Sequence, residues 1–225
     1  MRDRTDRRPL GCEPLESRDC PAGQVFVFAG ILTVLGDGGA NTVAITDDGA
    51  GTVTATIDGT TRTASGIHAV LVATDGGNDA ITYTLTGTEQ GVRVVSIAAG
   101  AGNDSVTLNA GAIGGLFAFA AYGGDGADKL NATVSGVAAG GAAVIALDGG
   151  GGNDTISGTA AGKMDGLLAL GLSGGAGNDT VTGSVDVAAG STGRVLALVS
   201  GGFGDDTLKL NVTGAGLAGL AQLDA

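Results

Sequence analysis

The stretches GGGGNDTIS (149–157) and GGAGNDTVT (174–182) are copies of one nine-residue pattern: Gly at the fourth place, Asp at the sixth, an aliphatic residue at the eighth. Reading outward finds four more copies, TDGGNDAIT (74–82), AGAGNDSVT (99–107), GGDGADKLN (123–131) and GGFGDDTLK (201–209). The sixth-place aspartates are Asp79, Asp104, Asp128, Asp154, Asp179 and Asp206, separated by 25, 24, 26, 25 and 27 residues. A weaker copy, GDGGANTVA (36–44), carries Asn41 at that place. Self-similarity at a fixed period makes each repeat one coil of a solenoid stacked on the last. Stacking brings the aspartates into a row, so the repeat that sets the fold also sets the chemistry.

Each unit has the same internal order. A short alternating strand follows the Asp, as in Ile81–Leu85 or Leu208–Val212, then a variable Gly/Ala/Ser turn, then a second strand leading to the next Gly pair. Two strands and two turns in ~25 residues predict an all-β, right-handed parallel β-solenoid of about six to seven coils, like a β-helix or β-roll. In the first strands the apolar places (Val181, Leu208, Leu210) point inward, and Thr107, Thr180 and Thr182 outward. In the second strands Val70/Val72, Val95/Ile97, Phe117/Phe119, Ile145/Leu147, Leu168/Leu170 and Val195/Val199 fill the core. The alternate places are not polar: they include Leu71, Val94, Ala120, Val144, Ala146, Leu196 and Leu198. Either one face carries a continuous apolar strip, which marks a contact surface, or residues 23–73 cover it.

Three zones divide the chain: a flexible Arg-rich leader (1–22), an irregular β capping section (23–73) and the Gly/Asp-rich repeats (74–225). The turn signals DDGAG (47–51) and DGT (58–60) predict hairpins or a meander in the middle zone. The formal charge of −12 falls entirely after residue 20, since the first 20 residues hold five Arg against five acids. Such a body has no basic stripe for nucleic acid and favours cations, solubility or basic partners. Both cysteines, Cys12 and Cys20, lie in the leader, so the repeats fold without disulfides. No stretch reads as a transmembrane span.

The nonapeptide resembles the calcium-binding G-G-x-G-x-D-x-U-x repeat of repeats-in-toxin (RTX) proteins, where U is a large aliphatic residue. The resemblance covers 74–209 and rests on the fourth-place Gly77, Gly102, Gly126, Gly152, Gly177 and Gly204, the six aspartates, and Ile81, Val106, Leu130, Ile156, Val181 and Leu208. It implies a Ca²⁺ cofactor held between successive turns by Gly-rich carbonyls and Asp carboxylates. The fifth places, Asn78, Asn103, Asn153, Asn178 and Asp205, complete the candidate turn. RTX repeats usually run in tandem; here they occur once per coil, which limits ions to one edge, about five between six turns.

Electrostatics leads the same way. Parallel neighbours lie ~4.8 Å apart. Carboxylates at that distance repel by roughly 0.9 kcal/mol in water and ~3.5 kcal/mol at an effective dielectric near 20. A hard divalent cation with oxygen ligands reverses the sign. No His or Cys accompanies the aspartates, which disfavours zinc and copper. The competing reading is that Gly, Asn and Asp simply form turns.

The leader's Glu13-Pro14-Leu15-Glu16-Ser17-Arg18 resembles the E-P-L-E-x-R leader of bacterial exported and surface proteins, implying an extracellular or cell-surface location. No catalytic set can be assembled. His68, the only histidine, is expected on a strand and buried; Tyr83 and Tyr122 are expected to pack. The Thr82, Thr107, Ser157, Thr182 row is broken by Asn131 and Lys209 and reads as ordinary β-surface. The C-terminal LAGLAQLDA resembles a second strand stopping before its Gly-Asp turn, leaving an uncapped coil that could stack on another copy. The expected protein is thus a non-enzymatic, calcium-binding solenoid with a structural, adhesive or assembly role. Its alternative is a metal-independent solenoid that self-associates through its apolar face or open coil ends.

Overall fold

The computed structural model describes residues 23–214 and 218–224. The leader, with Cys12, Cys20 and Glu13 to Arg18, lies outside the described residues. Among those described, every regular element is a strand.

The turns at 47–51 and 58–60 form the predicted meander, whereas Val25–Leu35, which reads as one strand, is split into a hairpin by the positive-φ pair Ala29 and Gly30. Strands β1 (Gln24–Phe28) and β2 (Ile31–Leu35) pair antiparallel, as do β3 (Thr42–Asp47), β4 (Val53–Ile57) and β5 (Thr60–Ala64) in succession. Strand β6 (Ala69–Ala73) returns parallel to β2. The chain then alternates between two sheets through β7 (Ala80–Leu85), β8 (Val92–Ala101), β9 (Ser105–Ile113), β10 (Leu116–Asp125), β11 (Lys129–Val137) and β12 (Ala142–Gly151). The same alternation continues through β13 (Thr155–Gly162), β14 (Leu167–Ala176), β15 (Thr180–Val187), β16 (Arg194–Phe203), β17 (Thr207–Gly214) and β18 (Ala218–Asp224). Sheet A has the order β1-β2-β6-β8-β10-β12-β14-β16-β18 and sheet B the order β17-β15-β13-β11-β9-β7-β3-β4-β5. From β2 and β3 onward every neighbouring coil pairs parallel, which makes the molecule a β-solenoid of about six turns.

Register follows the repeat. The eighth-place residues stack Val43, Ile81, Val106, Leu130, Ile156, Val181, Leu208. The weak copy 36–44 is therefore a full member of the stack. The inward places of both sheets interleave as one core of Val, Leu, Ile and Ala, with Phe117 and Phe119 each 6.1 Å from the Tyr83 ring. All the second-strand residues assigned to the core are buried.

Residues 23–73 do not cover the apolar strip. Because β2 and β3 are themselves a coil in parallel register with β6 and β7, the strands β1, β4 and β5 extend the two sheets along the stack axis. They cap one end, turning parallel edges into antiparallel ones. Two single-residue expectations are also corrected. His68 is exposed and precedes β6; its N–H donates to the Gly30 carbonyl at 2.9 Å, and Ile67 takes the buried place. Tyr122 is 47% exposed, since it shares the outward parity of Leu116 on β10.

Candidate functional site: the aspartate row

The six aspartates leave each Gly-rich turn just before a sheet B strand. Backbone hydrogen bonds already tie the coils together here, with Ser105, Lys129, Thr155, Thr180 and Thr207 N–H donating to the carbonyl of the preceding coil's Asp at 2.7–2.9 Å. The side chains add a second ladder. The N–H of Asp79 donates to Oδ1 of Asp104 at 2.7 Å, Asp104 to Asp128 at 2.7 Å, Asp128 to Asp154 at 2.8 Å, Asp154 to Asp179 at 2.7 Å and Asp179 to Asp206 at 2.8 Å. Asn41 opens the ladder by donating to Asp79 Oδ1 at 2.7 Å.

This uses one carboxylate oxygen per residue. The other, Oδ2, is buried and has no hydrogen-bond partner in Asp79, Asp104, Asp128, Asp154 and Asp179, whose residues are 1–2% exposed. A bare buried carboxylate oxygen is costly. Burial accordingly pushes the carboxyls of Asp104, Asp128, Asp154 and Asp179 up against the opposing hydrogen bond from the neighbouring backbone, Asp128 to about 6. Neighbouring carboxylates add a smaller push in the same direction. Asp206, on the last turn, is half-buried.

The first place of the nonapeptide decides what surrounds Oδ2. At Gly123, Gly149 and Gly174 a Cβ would press on the Oδ2 of Asp128, Asp154 and Asp179 and on the first-place carbonyl of the next coil. Glycine there leaves two acceptors, Oδ2 and a carbonyl oxygen, flanking one small gap. Two copies carry a side chain at this place: Thr74 is buried with its hydroxyl donating to the Ala99 carbonyl at 2.8 Å, and Ala99 is buried in turn.

The fourth-place glycines hold the turn itself. Gly126 has φ 142°, and a Cβ on it would run into the carbonyl oxygen of Gly102 one coil back; only glycine fits. The fifth places form a surface zipper of opposite polarity. Asn78 Oδ1 accepts from Asn103 N–H at 2.8 Å, Asn103 Oδ1 from Ala127 at 2.8 Å, Asn153 Oδ1 from Asn178 at 2.8 Å and Asn178 Oδ1 from Asp205 at 3.0 Å. These oxygens are committed to the backbone. Asn41 also explains the weak copy. Its amide donates to Asp58 Oδ2 at 2.8 Å and its Oδ1 accepts from Asp37 N–H at 3.1 Å, so a neutral group ends the row where an Asp would meet Asp58.

Among the described residues, no three His, Cys, Asp or Glu side chains converge on a point that could hold a metal. The oxygens that the row brings together are one carboxylate oxygen per coil and the backbone carbonyls beside it. Calcium accepts such mixed oxygen sets at 2.3–2.6 Å.

A second polar cluster escaped sequence reasoning. Arg93, 1% exposed, lies on the inward parity of β8 and reaches Asp47 Oδ2 at 2.6 Å and Glu89 Oε2 at 3.5 Å. Its guanidinium also donates to the Ile67 carbonyl, and Tyr83 OH donates to Asp47. Burial and the Asp47 carboxylate push the Tyr83 phenol up, which keeps it a donor. The signal was available: an Arg on the core register of an otherwise apolar strand (Arg93, Val95, Ile97) requires a buried acid. The cluster borders a cavity of about 380 Å³ between the 49–51, 66–67 and 89–93 segments.

The fold and the row together define a parallel β-solenoid with a file of buried aspartates along one edge. No known family model, curated protein or solved structure matches the chain. No helix among the described residues is long and apolar enough to cross a membrane.

Proposed function

We propose that this chain is a calcium-stabilised structural solenoid that works outside the cell, with no catalytic role. The observation that carries the reading is the row of buried, partnerless Oδ2 atoms on successive coils. Each is a negative acceptor with nothing positive beside it. The gaps left by first-place glycine narrow the expected ion set to Asp128, Asp154 and Asp179 with the carbonyls of Gly149, Gly174 and Gly201; Thr74 and Ala99 stand at the equivalent place in the copies of Asp79 and Asp104. A site with a dissociation constant of ~0.1 mM gains about 1.4 kcal/mol at ~1 mM ion, the concentration range of extracellular calcium modules. That location also fits the export-type leader.

A second reading has its own observation. Burial raises the carboxyls of Asp104, Asp128, Asp154 and Asp179, Asp128 to about 6, so at mildly acidic pH a proton can take the place of the ion, and the protonated row would be a metal-independent structural ladder. Isothermal calorimetry and thermal melts of the full chain with calcium, magnesium and EDTA separate the two. Calcium-specific heats with about three sites and a calcium-dependent melt support the first reading. Identical melts in all three conditions would leave only the second.

A further inference from the structure

The two faces of the solenoid differ in a way that the aspartate row does not explain. The outer face of sheet B presents Thr82, Thr107, Asn131, Ser157 and Thr182. The outer face of sheet A presents Leu71, Val94, Leu116, Val144, Leu196 and Leu198, each 39–45% exposed. Charge is confined to its margins, with Arg194 at the start of β16 and Asp148 toward the far end of β12. Between Val144 and Leu196 the small residues Ala146, Ala169 and Gly171 leave an apolar trough of about 230 Å³.

We infer that sheet A is the interface of a homodimer, with a second copy of this chain packed face to face on it. Size argues for that occupant. At ~4.8 Å between strands and ~3.3 Å per residue, about seven residues of each of β8, β10, β12, β14 and β16 and the five residues of β2 and β6 give a face of roughly 700 Å². A standard stable interface needs about 800 Å² per partner. A sheet with an apolar outer face has the form of half a β-sandwich, whose facing sheets sit ~10 Å apart. A two-fold pairing makes the same patch serve both sides, so the low central trough receives an apolar side chain from the partner. The copies carry like charge, so the pairing is held apolar at its centre and strengthens with salt. This interface stands independently of calcium.

Sedimentation velocity on the full chain tests it, from micromolar protein to ~0.1 mM and with calcium present. The expected species is a dimer of about 43 kDa, twice the 21.4 kDa chain. It should be favoured by added NaCl. The double variant Ala146→Glu/Leu198→Glu should weaken it by about a hundredfold through buried like charges. Thr182→Glu, on the sheet B face, should leave it unchanged. Circular dichroism confirms that each variant keeps its strands. A wild type that stays monomeric at the highest concentration overturns the inference, as does a folded double variant that dimerises like wild type. Both results are read independently of the calcium heats, so either proposal can fail alone.

Discussion

Asp128 N–H donates to Oδ1 of Asp154 at 2.8 Å, while the second oxygen of that same carboxylate lies buried without a partner. One half of the side chain is a coil-to-coil strut; the other half is an unmet negative acceptor. Fold and candidate function thus share a residue, and substitutions can separate them.

Asp154→Asn keeps the strut and replaces the bare Oδ2 with an amide donor. In EDTA at neutral pH this variant should be more stable than wild type by about 1 kcal/mol, or ~2–4 °C in Tm. Its calcium response should fall by about a third, one site of three. Asp154→Ala removes the strut as well and leaves Asp128 N–H unsatisfied, costing about 1–3 kcal/mol. Equal losses for both variants, measured by urea unfolding, would remove the electrostatic account of the row.

Burial raises Asp104, Asp128, Asp154 and Asp179, Asp128 to about 6, against ~3.9 in an unfolded chain. Between those values the folded protein holds protons that the unfolded chain has released. The stability of the calcium-free protein should therefore fall as pH rises from ~4 to ~6 and level off above. Asp48 and Asp165, held low chiefly by the Thr52 backbone hydrogen bond and by Lys163 respectively, act in the opposite sense at lower pH. Calcium should stabilise most above pH 6, where no proton competes. Melts across this range in EDTA that stay flat or rise would show the Oδ2 atoms already partnered.

Gly126→Ala should be among the most damaging single substitutions. A Cβ at φ 142° meets the backbone of the adjacent coil, which cannot move without breaking its own ladder. A loss of more than ~3 kcal/mol is expected. Gly140→Ala provides the comparison, because its φ is also positive, at 81°, but its Cβ meets open space. That change should cost only about 1–2 kcal/mol, the intrinsic left-handed penalty. Denaturant midpoints for the pair distinguish collision from backbone strain.

Arg93→Met should cost about 3–5 kcal/mol by leaving Asp47 and Glu89 buried without their cation. The effect should be local. Hydrogen exchange should show β3 to β5 losing protection first, since Arg93 is what ties Asp47 and the Ile67 carbonyl to β8.

Much of this molecule was legible along the chain. Periodic Gly, Asp and aliphatic places determined that coils stack, that Ile81 sits on Val106 and Val106 on Leu130, and which second-strand residues enter the core. A solenoid makes that possible because each coil contacts only its neighbours, so one repeat length specifies every register. The tertiary structure decided what single residues do at the coil edges. Whether an Asp oxygen is bonded or bare depends on the next coil and on a first-place Gly, Ala or Thr, which period alone does not weigh. Arg93 finds Asp47 across 46 positions because β3 stacks directly on β7, the strand that leads into β8, while the β4–β5 hairpin inserted after β3 lengthens the chain between them. Residues 23–73 cap an end, leaving sheet A open, because β2 and β3 already form a coil and parallel pairing extends along the stack. Local periodicity carries register; the surroundings of a buried polar atom come from segments far apart in the chain, and only folding brings those together.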